Sequence, residues 1–139
     1  MRAFPILLAA AGLTLPAIAA APVKLQTQLT GAAEVPGPGA DKGMGEATLS
    51  FDTAKGQVCY MLHSMDTDTP TMAHIHKGAA GVAGGVVVAL AAPATGTSQG
   101  CAPLAADVMD DILSHPAEYY VNVHTAAFPK GAIRGQLGK

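Results

Sequence analysis

Tyr119-Tyr120-Val121-Asn122-Val123-His124-Thr125 is the stretch that decides the fold. Tyr119, Val121 and Val123 alternate with Tyr120, Asn122 and His124. Side chains on a strand alternate between its two faces, and β-branched and aromatic residues suit a half-buried pleated surface. The stretch therefore reads as a strand with an apolar inner face and a polar outer face. Downstream, Pro129-Lys130-Gly131 marks a turn. The next run, 132–137, places Ile133, Gly135 and Leu137 on one face and Arg134 and Gln136 on the other.

Working outward, turn residues recur at short intervals: Gly31, Pro36 to Gly39, Lys55-Gly56, Asp66 to Pro70, Gly78 to Gly85 and Pro93 to Gly100. Between them the pattern predicts strands at 24–30, 46–52, 57–64, 71–77, 85–91, 119–125 and 132–137. Many short strands at close spacing indicate an all-β sandwich or barrel. One segment differs. In 104–114, Leu104, Val108, Met109, Ile112 and Leu113 recur at helical spacing, with Asp107, Asp110 and Asp111 on a solvated face, so a short amphipathic helix is predicted there.

The chain has 139 residues, with 8 basic and 10 acidic side chains and a formal net charge of −2. It has no basic stripe, which argues against nucleic acid as a partner. Arg2, the apolar run from Phe4 to Ile18 and the small residues Ala17-Ile18-Ala19 form a secretory signal pattern. Residues 1–19 are therefore expected to be a signal peptide and 20–139 a single domain, secreted or periplasmic. No span is expected after signal removal, because the apolar run 86–92 is far shorter than the roughly 20 residues a helix needs. In an oxidising compartment the two cysteines, Cys59 and Cys101, are expected to form a disulfide.

Parity places the candidate site. His74 and His76 oppose Ala73 and Ile75, His63 opposes Leu62, and His124 opposes Val123. All four, with Arg134, fall on the outer face of the sheet system. A His-x-His on one strand sets two imidazoles side by side, and a third from another strand, His124, completes an open three-nitrogen metal site suited to copper, zinc, iron or nickel. The alternative is a row of solvated polar residues. His63 is the candidate fourth ligand or partner to a ligand. His115 reads as a helix C-terminal residue outside the site. Arg134 has two readings: guidance of a small anion toward the metal, or a salt bridge or hydrogen bond to a loop carbonyl.

Three stretches resemble the chordin (CHRD) domain family: Leu29-Thr30-Gly31-Ala32-Ala33-Glu34-Val35-Pro36; Ala73-His74-Ile75-His76-Lys77-Gly78 with Gly81 and Gly85-Val86-Val87-Val88; and the run from Tyr120 to Leu137. The resemblance implies an immunoglobulin-like β-sandwich with limited similarity to the Greek-key sandwich of copper/zinc superoxide dismutases. Through that second similarity His74, His76 and His124 resemble copper ligands, and Arg134 a guide for superoxide. The chain lacks a second His/Asp cluster for zinc and a bridging histidine after His76. Three functions compete: a copper-dependent oxidoreductase of the superoxide dismutase type; a zinc site on the same ligands that activates water; and a non-catalytic extracellular module that binds an unknown protein partner through its loops.

Overall fold

The structure, a computed structural model, describes residues 20–138. The expected signal peptide, 1–19, lies outside the described residues. Eight strands form one antiparallel sheet: β1 (Val23–Thr30), β2 (Met44–Asp52), β3 (Gln57–Met65), β4 (Pro70–Lys77), β5 (Gly85–Leu90), β6 (Thr97–Pro103), β7 (Tyr119–Thr125) and β8 (Ile133–Gln136). One helix, α1 (Ala106–Ser114), lies between β6 and β7. The strand order is β5-β4-β7-β8-β1-β2-β3-β6. The two halves of the sheet join where Thr30 of β1 pairs with Arg134 of β8.

The sheet folds over one core and nearly closes, giving a β-sandwich-like domain. One half contributes Leu29, Leu49, Phe51, Val58 and Leu62, and the other Ala73, Ile75, Val121, Val123 and Ile133. Val58, Leu62, Ala73, Ile75, Val121, Val123 and Ile133 are inner-face residues that alternation predicts. Each fully buried Leu, Ile or Phe contributes about 1.5–3 kcal/mol. Met109 and Ile112 of α1 are buried in the same core. The helix starts at Ala106, later than expected, because β6 runs on to Pro103 and Ala105 is still extended. Among the described residues no helix is long and apolar enough to cross a membrane.

β6 is the strand that alternation missed. Thr97-Ser98-Gln99-Gly100-Cys101-Ala102-Pro103 has almost no apolar period, and its pairing to β3 defines it instead. Gly100 sits opposite Tyr60, and a Cβ at position 100 would lie 2.8 Å from the Tyr60 hydroxyl, so the absence of a side chain lets the ring lie across the strand. That hydroxyl accepts the Ala91 N–H at 2.9 Å, and Ser98 Oγ donates to Ala91 O at 2.7 Å. These bonds tie the end of β5 to β3 and β6 where the sheet nearly closes. Cys59 and Cys101 are direct cross-strand partners on β3 and β6 and form the expected disulfide. A closure of 42 residues stabilises the fold by ~4 kcal/mol on chain-entropy grounds.

Candidate metal site

β4 and β7 lie side by side, with Met72 opposite His124, His74 opposite Asn122 and His76 opposite Tyr120. Cross-strand partners share a face, so His74, His76 and His124 converge on the outer side of the sheet. One ring nitrogen from each lies within 4.8 Å of the other two. Strand order is what brings them together: β4 and β7 are distant in sequence but adjacent in the sheet.

The outer face here is only partly open to solvent, contrary to the simple expectation from parity: His76 and His124 are buried and His74 half-buried. Loop 78–84 folds back over it. Arg134 anchors the loop, with Nη1 donating to Val82 O at 2.9 Å and Nη2 to Ala79 O at 2.8 Å. Its guanidinium stacks 3.4 Å from the Tyr120 ring centroid and is only 1% exposed. Gln136 Nε2 donates to Gly78 O at 2.6 Å. Gly84 is pressed so tightly against Lys77 O that a Cβ would lie 1.6 Å from it, so no other residue fits without moving the loop. Gly84 N–H donates to the Tyr120 hydroxyl at 3.1 Å. The result is a layered stack of Arg134, Tyr120 and His76, with the His76 ring parallel to Tyr120 at 4.8 Å.

The backbone fixes two of the three tautomers. His76 Nδ1 lies 2.9 Å from Gly84 O, and His124 Nδ1 lies 3.0 Å from Pro129 O. A carbonyl only accepts, so both Nδ1 atoms carry the proton and both Nε2 atoms present a lone pair. His76 Nε2 is buried and unpartnered. His124 Nε2 faces His74 Nδ1 at 3.0 Å, so His74 donates there. Burial, then the neighbouring His124 and His76, push His74 down to about 4. Burial also lowers His124, against the pull of the Pro129 carbonyl. Both imidazoles are therefore neutral at pH 7, the form that binds metal.

Two expected participants have other positions. His63 does not join the three histidines: it pairs with Glu46 of β2 and Thr97 of β6, and β2, β1, β8 and β7 separate it from β4. Arg134, read from the sequence as an anion guide or a loop anchor, has its guanidinium in the second role. His115 lies at the end of α1, 3.1 Å from the Asp111 carboxylate, outside the site.

Glu34 was not singled out from the sequence. Its carboxyl is buried against Gly131, close to Arg134 and Asn122. Burial pushes it up to about 7, although the Val35 N–H, Arg134 and Asn122 all pull it down. Its position in the Gly-Ala-Ala-Glu-Val-Pro stretch was visible, but no periodicity marks a buried acid in a loop. A carboxyl raised in the folded state contributes stability that is fully present below about 4.5 and is lost as pH rises through about 7. Glu34→Gln has no such loss. Denaturant titrations at pH 5 and pH 8 should show the variant gaining on the wild type by on the order of 3 kcal/mol across that interval. An unchanged difference between the two pH values would contradict the burial argument.

The fold and site define an all-β domain with three imidazoles gathered beneath a loop on its outer face. The CHRD domain family model matches residues 25–137, and the chain belongs to that family. No curated protein and no solved structure matches it, and the comparisons lend no support to a likeness to copper/zinc superoxide dismutases. Family membership and the disulfide are compatible with an extracellular or periplasmic protein.

Proposed function

We propose that this CHRD domain, exported from the cytoplasm, binds one metal ion through His74 Nδ1, His76 Nε2 and His124 Nε2, with copper favoured. The observation that carries this reading is the buried, unpartnered His76 Nε2, aimed at two further neutral imidazoles while its own Nδ1–H is held by Gly84 O. An unsatisfied buried acceptor costs about 1–3 kcal/mol, which a ligated metal would offset. Neutral nitrogen donors with no carboxylate among them suit copper and zinc, and copper(II) binds such sets more tightly. The 3.0 Å between His74 Nδ1 and His124 Nε2 already suits two neighbouring ligands of one ion, so binding there requires only that the His74 proton move from Nδ1 to Nε2.

The residues divide the work. Gly84 and Pro129 carbonyls fix the ligand tautomers, Tyr120 supports the His76 ring, and Arg134 and Gln136 hold the loop that excludes water. A bound copper would supply one-electron chemistry with a small anion such as superoxide; bound zinc would supply a Lewis acid for water. With the Arg134 guanidinium committed to the loop, an anion would be drawn by the metal's own charge. The remaining alternative, a non-catalytic module that engages a protein partner, needs no metal.

Competition titrations with copper(II) and zinc(II) test the reading, followed by superoxide decay with the loaded protein. The expected result is one ion per chain, copper held more tightly than zinc, and decay accelerated by the copper form alone. Copper binding without acceleration would leave a metal-binding protein and remove the redox activity. Retention of neither metal would favour the interaction module.

A further inference from the structure

A second group of metal-binding side chains lies on the other half of the sheet. Alternation puts Met61, His63 and Met65 on one face of β3. β2 pairs with it in the register Met44↔Met65, Glu46↔His63 and Thr48↔Met61. Directly opposite residues share a face, with Cβ atoms about 4.5–5.5 Å apart. The opposite faces of these strands carry Ala47, Leu49, Val58 and Leu62, all buried in the core. The face with Met44, Met61, His63 and Met65 therefore points outward.

Three of its side chains are large and apolar, yet they meet water: Met44 is 49% exposed, Met61 57% and Met65 44%. Of the five methionines in the described residues, only Met109 is buried. Methionine is normally an interior residue, so this clustering on one face calls for a reason. A thioether is an uncharged, soft donor that does not protonate, and soft thioether donors select copper(I). Methionine has three rotatable side-chain bonds, enough for sulfurs on adjacent strands to meet one ion. His63 stands between Met61 and Met65, and its imidazole adds a nitrogen donor. A hollow of about 150 Å³, lined by Glu46, Thr48, Met61 and His63, opens on the same patch.

We propose that Met44, His63 and Met65, neighbours in the β2–β3 register, form a second, surface metal site for a soft monovalent cation, copper(I) in chemical class. It is separated from the three-histidine site by the strands between β3 and β4. The inference does not depend on the three-histidine reading, because it uses none of the same side chains. His63, singled out as a ligand for the first site, here becomes the nitrogen donor of another.

Silver(I), a redox-inert stand-in for copper(I), is the probe. The protein is labelled at the methionine methyl groups and titrated in chloride-free buffer. Three forms are compared: wild type, His74→Ala/His124→Ala, and Met44→Leu/Met65→Leu. Exposed leucines leave the core untouched, and backbone amide spectra confirm folding in each form. In the histidine variant, the methyls of Met44 and Met65 and the His63 ring should shift with one equivalent, while Met72 and Met109 stay in place. The methionine variant should lose at least tenfold in silver affinity and still bind zinc at the three histidines. Unshifted methyls in the histidine variant would overturn the proposal. So would equal shifts at Met72, or wild-type silver affinity in the methionine variant.

Discussion

Arg134→Ala lowers the unfolding free energy by about 3–5 kcal/mol, the range for breaking a buried charged network. The substitution removes the donors to Val82 O and Ala79 O, the bond to Gln136 Oε1 at 3.1 Å and the plane stacked on Tyr120. The carbonyls left behind are each costly if buried without a partner. The cost extends to the site, because loop 78–84 carries the Gly84 carbonyl that orients His76. Denaturant midpoints at unchanged slope measure the first effect, and metal titration the second. Arg134→Lys should recover little of either, since an ammonium cannot form the fork to two carbonyls and stack as a plane at once. A variant with wild-type stability would mean that the loop is held by other contacts.

At the proposed metal site, His76→Ala should abolish metal-linked stabilisation. In the wild type, metal at a hundred times its dissociation constant should raise stability by about 2.7 kcal/mol, because only the folded chain gathers the three ligands. His76→Ala and His124→Ala should gain close to nothing under the same conditions. The loss should exceed the roughly 10–100-fold in affinity typical of removing a partner that merely orients a ligand. Gly84→Ala supplies that lesser case: it displaces the carbonyl and leaves all three imidazoles in place. Thermal or denaturant unfolding with and without zinc or copper separates the classes. Equal metal-linked stabilisation in His76→Ala and wild type would remove this residue from the site.

Alternation made most of the sheet legible in the sequence. Val58, Leu62, Ala73, Ile75, Val121, Val123 and Ile133 all face the core as their parity requires. β6 was hidden because its residues are small and polar, and because a cross-strand disulfide and the Tyr60–Gly100 contact hold it in place of an apolar stripe. Parity also placed His74, His76 and His124 on one side, but their meeting depends on β4 lying next to β7, which no local pattern encodes. The same limitation applies to His63, which has the right parity on a distant strand. Arg134 could not be told from a solvent-facing residue, because its burial is created by a loop whose Gly/Ala composition gives no sign of where it lands. Glu34 was obscured because it lies in a loop where no periodicity marks a buried acid.

In the proposed site three specific ring nitrogens, two of them set by a backbone carbonyl on the opposite ring nitrogen, take up one metal ion. Long-range nitrogen–proton spectra of histidine-labelled protein, recorded without metal and with one equivalent of diamagnetic zinc(II), read each ring nitrogen separately. Before zinc is added, His76 and His124 should show Nδ1-protonated tautomers. Afterwards, metal-bound signals are expected at His74 Nδ1, His76 Nε2 and His124 Nε2, with His63 and His115 unchanged at that single equivalent. Zinc-induced changes at His63 or His115 instead, or no change at the three, would contradict the proposed site.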